Sequence, residues 1–236
     1  MGIVKHLPES LVALGELFFP PICQSCGTHL FKNESEICQM CIRRLPRTYF
    51  EKTSSENQIT IQMWGRCHVE YGTSLFFYKK GERVQRLLHD VKYRGNKKLG
   101  EELGRQLGKI MKQSQLDDFD YIIPIPLHPK KQKLRGFNQA EVFAKGLAEI
   151  LMVDIETANV CRITHTSSQT RKGRFERWQN VESIFRVDNP DDFKNKHLLV
   201  IDDVITTGST MEACVNQLTP IEGVKVSVAS IACAAL

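Results

Sequence analysis

One stretch decides the fold of this chain: Leu198-Leu199-Val200-Ile201-Asp202-Asp203-Val204-Ile205-Thr206-Thr207-Gly208-Ser209-Thr210. It begins with a short apolar run that is typical of a buried strand in a parallel sheet. Two acids follow, then a turn of small hydroxyl residues and glycine, and then apolar residues at helical spacing over residues 209–218. A buried strand, a turn and a helix in this order are the repeating unit of an α/β fold.

The rest of the chain from about Val69 onward alternates between strand-like and helix-like segments. The predicted strands are residues 74–79, 121–125, 197–201 and 225–231. The predicted helices are residues 82–91, 99–111, 137–151 and 209–218. This alternation predicts an α/β domain with a mainly parallel sheet flanked by helices.

The turn after the third predicted strand, at residues 202–210, carries chemistry that suits a sugar phosphate. In open α/β sheets, ligands lie beyond the carboxyl ends of the strands. The free N–H groups and the positive end of a new helix favour a phosphate, and carboxylates suit ribose hydroxyls or Mg²⁺. The alternative is an ordinary strand-turn-helix in which Asp and Thr serve as helix caps. The candidate ligand residues are Asp202, Asp203, Thr206, Thr207, Gly208, Ser209 and Thr210.

Residues 1–60 are predicted to hold an amino-terminal helix and a zinc ribbon. Apolar residues at helical spacing over residues 9–19 predict the helix, and two C-x-x-C pairs after it predict the ribbon. The four candidate ligands are Cys23, Cys26, Cys38 and Cys41, which would hold Zn²⁺ tetrahedrally. Four protein ligands leave no open position, so this zinc would be structural. The alternatives are a redox C-x-x-C or accidental pairing. Cys67 could be a replacement ligand, but a buried free thiol is the simpler interpretation.

The bulk composition describes an ordinary globular protein. The chain has 236 residues, of which 42% are hydrophobic and 25% charged, and no apolar run reaches the ~20 residues that span a bilayer. The apolar segment 11–22 contains Glu16, ends in two prolines and lacks a cleavage site, so it does not resemble a secretion signal. We therefore expect a cytoplasmic protein whose eight cysteines are not disulfide-bonded.

The net charge of +5 is concentrated in two segments, residues 128–135 and 171–177. The first contains Lys130, Lys131 and Arg135 and no acid, and we expect it to be a mobile loop over the ligand. The second interleaves its basic residues with Phe175 and ends beside Trp178, so it could bind single-stranded nucleic acid, or its aromatics could belong to the core. Solvated basic loops are the alternative for both.

The turn at residues 202–210 resembles the PRPP-binding motif of type I phosphoribosyltransferases, where PRPP is phosphoribosyl pyrophosphate. The cysteine pairs ahead of it narrow this resemblance to the ComF family. The block from Pro124 to His128, the RGFNQA block that begins at Arg135, and the stretch from Gln169 to Phe185 agree with that family. Members of the ComF family commonly carry an arginine-rich run just before the RGFNQA block. This chain differs from them, since it has lysines in that position, before Arg135.

The resemblance implies a second contact region, a pyrophosphate loop formed by Lys92, Tyr93, Arg94 and Gly95. These four residues could equally be the basic end of a helix with a glycine cap. The resemblance also implies a hood that contains Lys130, Lys131 and Arg135.

The resemblance implies three classes of function for residues 61–236. The first is a phosphoribosyltransferase that binds PRPP with Mg²⁺ and transfers phosphoribosyl to an acceptor. The second is a competence factor for DNA uptake that binds PRPP or single-stranded DNA without turnover, with a DNA-uptake helicase or translocation machinery as partner. A third is a PRPP sensor whose ribbon contacts a protein partner.

Overall fold

The computed structural model describes residues 20–163 and 184–235. The strands are β1 (Gly72–Tyr78), β2 (Tyr121–Pro124), β3 (Asp154–Ile155), β4 (Val160–Arg162), β5 (Phe185–Val187), β6 (His197–Ile205) and β7 (Lys225–Ala234). The helices are α1 (Gln39–Arg44), α2 (Gln58–Met63), α3 (Arg83–Arg94), α4 (Lys97–Gln113), α5 (Pro129–Arg135), α6 (Gln139–Leu151) and α7 (Ser209–Leu218). Among the described residues, no helix is long and apolar enough to cross a membrane.

The main sheet has five strands in the order β1-β7-β6-β2-β3, and every pair in it is parallel. The predicted α/β class with a mainly parallel sheet is therefore confirmed. Strand β6 lies at the centre and pairs with β7 along its whole length, from His197 to Ile205. Because all five strands run the same way, their carboxyl ends meet at one edge of the sheet.

Helices cover both faces of this sheet. Helices α3, α4 and α6 pack on one face through buried residues such as Leu87, Leu103 and Phe143. Helices α2 and α7 cover the other face through Ile59 and Val215 among others. The connecting turns lie at the edge formed by the carboxyl ends of the strands, between the two helical layers.

The cysteine-containing segment is joined directly to the first of these faces. Ile37 and Leu45 belong to the same buried cluster as Leu75 of β1. Two backbone hydrogen bonds continue the contact, from Thr48 N to Leu75 O at 3.4 Å and from Phe77 N to Pro46 O at 2.7 Å. Loss of structure in this segment would therefore disturb the main core.

Strand β6 is longer than predicted. The expectation that it ends at residue 201, with the two acids beyond it, is wrong, because β6 continues to Ile205. Its pairing with β7 extends through Asp202 opposite Ser230 and Val204 opposite Ala232. Backbone pairing across the sheet overrides the local polarity that suggested a strand end.

Two segments predicted as loops are helical. The polar composition of residues 51–60 predicts a loop or linker, but this stretch contains the start of α2. Asn57 begins that helix by accepting hydrogen bonds from Ile59 N and Thr60 N. The basic segment predicted as a mobile hood loop forms α5, which begins with a proline and ends at Gly136. The predicted helix at residues 9–19 and almost all of the stretch from residue 169 to 185 lie outside the described residues.

Candidate functional site

The carboxyl end of β6 meets the end of α3 through one ion pair. Asp203 is 7% exposed, and its Oδ2 is paired with Nζ of Lys92. Lys92 lies in the last turn of α3, which Gly95 ends with a φ of +69°. The alternative interpretation of this basic segment, a helix end with a glycine cap, is thus the geometry observed. That geometry still brings Lys92 to Asp203, from a distant part of the sequence.

Asp202 stands next to this pair in a different environment. Its Oδ1 accepts a hydrogen bond from Asp203 N at 2.7 Å. Burial raises the pKa of Asp202 well above its usual value, and the negative charge of Asp203 raises it further. Two neighbouring carboxyl groups that share one lysine favour a ligand that brings hydroxyl donors or a cation.

The turn between β6 and α7 contains two backbone amides that have no hydrogen-bond partner among the described residues. Gly208 has a φ of +74° and stands at the amino terminus of α7 without a side-chain cap. Thr207 Oγ1 accepts from Ser209 N at 3.5 Å and contacts Ser209 Oγ at 3.1 Å. No hydrogen bond from Thr207 N or Gly208 N to another described residue is present. These two amides are free to bind an anion at the start of a helix.

Side chains from α2 and the residues after it contact the back of this turn. Gln62 Nε2 donates to Thr206 O at 2.8 Å. Arg66 Nη1 donates to Thr207 O at 3.0 Å, and Arg66 is also paired with Glu212 of α7. Sequence reasoning missed both residues, because nothing in the local pattern of this segment indicates a contact with the distant turn.

The basic helix α5 reaches the same region through one residue. The Arg135 guanidinium lies 5.1 Å from the centre of the Tyr93 ring, and its Nη2 is 3.4 Å from Tyr93 Oη. Arg135 Nη1 also donates to Gln139 Oε1 at 2.8 Å. Lys130 and Lys131 are exposed and form no ion pair within the described part of the chain. Of the three predicted hood residues, Arg135 therefore contacts the predicted pyrophosphate segment.

The carboxyl-terminal part of the chain matches a known protein family. Residues 138–236 match the family described as the phosphoribosyl transferase domain. This segment resembles a phosphoribosyl transferase domain. It contains β6, the turn and α7, so the free amides and both aspartates lie within it.

Three relatives extend the similarity across most of the chain. Competence protein F of Haemophilus influenzae is 28% identical over 205 residues, which cover 82% of this chain and 89% of that protein. The DNA utilization protein YhgH of Escherichia coli strain K12 is 24% identical over 204 residues, covering 83% and 89%. Competence protein ComFC of Bacillus subtilis is 24% identical over 190 residues, covering 80% and 74%. The resemblance to ComF proteins is confirmed.

Outside the phosphoribosyl transferase domain, the four amino-terminal cysteines form one cluster. The sulfur atoms of Cys23, Cys26, Cys38 and Cys41 all lie within 4.8 Å of one another. Four sulfurs ~2.3 Å from a tetrahedral Zn²⁺ would be roughly 3.8 Å apart. The distance from Cys26 Sγ to Cys38 Sγ is 3.8 Å. The cluster is therefore compatible with a zinc site.

Backbone amides also point at these sulfurs. Cys38 N donates to Cys23 Sγ at 3.3 Å, and Cys41 N donates to Cys38 Sγ at 3.4 Å. Donors of this kind stabilise thiolates, which are the form that binds metal. Cys67 lies outside the cluster, with its Sγ 3.7 Å from Met63 Sδ. It is half-buried, and burial raises its pKa to about 11, as expected for a structural thiol.

Proposed function

We propose that this protein binds phosphoribosyl pyrophosphate with Mg²⁺ at the carboxyl end of β6. The observation that carries the proposal is the ion pair between Lys92 and Asp203, next to the free amides of Thr207 and Gly208. Groups that suit the two ends of one ligand thus meet at a single edge of the sheet. The match of residues 138–236, which contain Asp203, Thr207 and Gly208, to the phosphoribosyl transferase domain supports the same ligand.

Each part of the site has a chemical role in this proposal. The 5′-phosphate accepts hydrogen bonds from Thr207 N and Gly208 N, and the hydroxyl groups of the turn surround it. The ribose 2′- and 3′-hydroxyls donate to Asp202 and Asp203. The pyrophosphate lies toward Lys92 and Arg94, so Lys92 exchanges the carboxylate of Asp203 for a phosphate oxygen. Mg²⁺ enters with the pyrophosphate and neutralises part of its charge.

This arrangement suits transfer of the phosphoribosyl group. A nucleophile would form a bond to ribose C1 while the bond from C1 to the pyrophosphate oxygen breaks. The residues of the site would hold the sugar in place, and Lys92 and Arg94 would stabilise the charge that develops on the leaving pyrophosphate. Catalysis of this kind depends on the positioning of the sugar and the leaving group. No side chain has to remove a proton from the sugar.

The test uses the full chain and two measurements. Titration calorimetry should detect 1:1 binding of PRPP that requires Mg²⁺. Phosphorus NMR of the same mixture, with nucleobases or single-stranded DNA added, should then separate the two classes of function. Release of pyrophosphate identifies a transferase, and broadened PRPP signals without release identify a binding protein. If PRPP with Mg²⁺ gives no heat and no broadening at millimolar concentration, the proposal is wrong.

A second observation favours single-stranded DNA as a further partner. Two hollows between the cysteine segment and α3 share Arg83 and Arg86 in their walls, and Arg44 and Arg94 complete them. Within the described ranges, Arg44, Arg83 and Arg86 form no ion pair. We name these two hollows, with the four arginines, the arginine groove.

The arginine groove runs along α3 toward the proposed pyrophosphate contact. Arg83, Arg86, Asp90 and Arg94 are spaced by three or four residues, so they share one helix face about 16 Å long. In this row Arg83 and Arg86 form no ion pair with another described residue, whereas Arg94 is paired with Asp90 at 3.3 Å. Guanidinium groups at this spacing fit the phosphates of a nucleic acid strand. The relatives named for competence and DNA utilization support DNA as that strand.

We expect Arg83→Ala combined with Arg86→Ala to weaken binding of a single-stranded oligonucleotide about tenfold. Each lost phosphate contact should also lower the slope of log affinity against log salt by about 0.7. Fluorescence anisotropy at several salt concentrations measures both effects. The matched control removes two exposed lysines outside the groove, Lys109 and Lys145. Equal losses in the two double variants would mean that net charge, rather than the groove, binds the strand.

A further inference from the structure

The phosphate-binding turn is held from the side opposite its free amides. Gln62 Nε2 binds Thr206 O, and Arg66 Nη1 binds Thr207 O, so two successive carbonyl groups each have a side-chain donor. Arg66 also reaches Ser209 Oγ at 3.4 Å and is paired with Glu212, which connects it to the first turn of α7. We call Gln62 and Arg66 the carbonyl clamp.

Peptide geometry gives this clamp a direct effect on the amides. In a trans peptide, the C=O and the following N–H point in opposite directions. The carbonyl of Thr206 belongs to the same peptide group as the amide of Thr207, and the carbonyl of Thr207 to the same group as the amide of Gly208. Holding the two carbonyls therefore directs both amides to the other side of the turn.

The support beneath the clamp is rigid. Met63 is fully buried, and a Cβ on Gly208 would lie 2.8 Å from Met63 Cε, so the helix packs directly on the turn. Asn57 caps the other end of α2 and donates from Nδ2 to Gly72 O at 2.8 Å. Ile59 is fully buried between these points. Helix α2 thus connects the turn to β1.

We propose that Gln62 and Arg66 are positioning residues for the phosphate end of the ligand. They keep the amides of Thr207 and Gly208 turned outward before the ligand arrives, so binding does not have to order the turn. This proposal rests on the proposed function for the identity of the ligand. The pyrophosphate end, at Lys92 and Arg94, does not touch the clamp and should not depend on it.

The experiment compares two probes, ribose 5-phosphate and pyrophosphate with Mg²⁺, on the full chain. The variants are Gln62→Leu, Arg66→Met and Arg66→Lys, and the control is Gln113→Leu, an exposed glutamine at the end of α4. We expect Gln62→Leu and Arg66→Met each to weaken ribose 5-phosphate binding about tenfold and to leave pyrophosphate binding unchanged. Arg66→Lys retains one donor and should recover part of the affinity. The control should bind both probes as the wild type does.

A second measurement needs no ligand. In ¹⁵N relaxation of the free protein, the amides of Thr207 and Gly208 should have order parameters near ~0.85, which fall below ~0.6 when the clamp is removed. If the variants lose affinity for both probes equally, the whole site is damaged and the proposal is overturned. Order parameters that do not change in the variants would overturn it as well. If the wild type binds neither probe, the proposed function fails, and the relaxation data alone decide whether the clamp orders the turn.

Discussion

Replacing Asp202 with Asn is expected to raise the melting temperature and, at the same time, to weaken PRPP binding about 10- to 100-fold. The gain in stability follows from burial, which raises the pKa of Asp202, and from the neighbouring charge of Asp203, which raises it further. A carboxyl whose pKa is raised by folding destabilises the folded state at every pH above its unfolded pKa of ~3.9. Asn carries no charge, so the variant avoids this destabilisation of the folded state. In a protein of this size, about 1 kcal/mol in the free energy of unfolding shifts the melting temperature by about 2–4 °C.

The loss of affinity has a separate cause. A carboxylate that accepts from a ribose hydroxyl contributes more than a neutral amide oxygen, because hydrogen bonds to charged groups are stronger. Calorimetry measures the affinity and thermal unfolding measures the stability, each from pH 4 to 8. The stability difference should vanish near pH 4 and grow as the pH rises. The control is Asp154→Asn, an exposed aspartate of β3. A variant with lower stability and unchanged PRPP affinity would contradict the assignment of Asp202 to the ribose.

The features that local sequence could predict are those built from neighbouring residues. Helix α7 was predicted with its observed bounds, because a glycine turn precedes it and its apolar residues follow helical spacing. The cysteine cluster was predicted from two C-x-x-C pairs, since such pairs bring sulfurs together wherever the segment lies. In both cases the physical cause, a glycine turn before a helix or a pair of cysteines separated by two residues, operates over a few residues.

The features that the sequence did not reveal depend on contacts between distant segments. Asp202 and Asp203 suggested a strand end, but β7 supplies partners that extend β6 to Ile205. Arg66 follows a segment interpreted as a linker, and its role is visible once α2 packs against Gly208. Three of the four groove arginines lie on α3, but Arg44 belongs to a distant segment, so no charge run marks the groove. Tertiary pairing sets these positions, and a single sequence carries no local signal for it.

Purified protein is expected to contain one zinc per chain, and Cys38→Ser is expected to lower the melting temperature by about 10 °C or more. Structural zinc contributes several kcal/mol or more to small modules that have little core of their own. Here Cys38 is 6% exposed and belongs to the same buried cluster as Phe76 of β1. Because the cluster is continuous, loss of the metal should destabilise the main sheet and its helices as well. Thermal unfolding should then show one transition at a lower temperature and not two separate transitions.

Metal analysis of protein purified without chelator measures the zinc content, and calorimetry measures unfolding. Cys161→Ser is the matched control, because this half-buried thiol lies outside the cluster and hydrogen-bonds to Ala158 O at 3.3 Å. A chelator should lower the melting temperatures of the wild type and of the control by the same amount. It should change the melting temperature of Cys38→Ser much less. Protein without zinc, or a Cys38→Ser variant as stable as the wild type, would mean that the four sulfurs are held by packing alone. A normal zinc content with two separate transitions would mean that the cysteine segment folds independently, although it shares a core with β1.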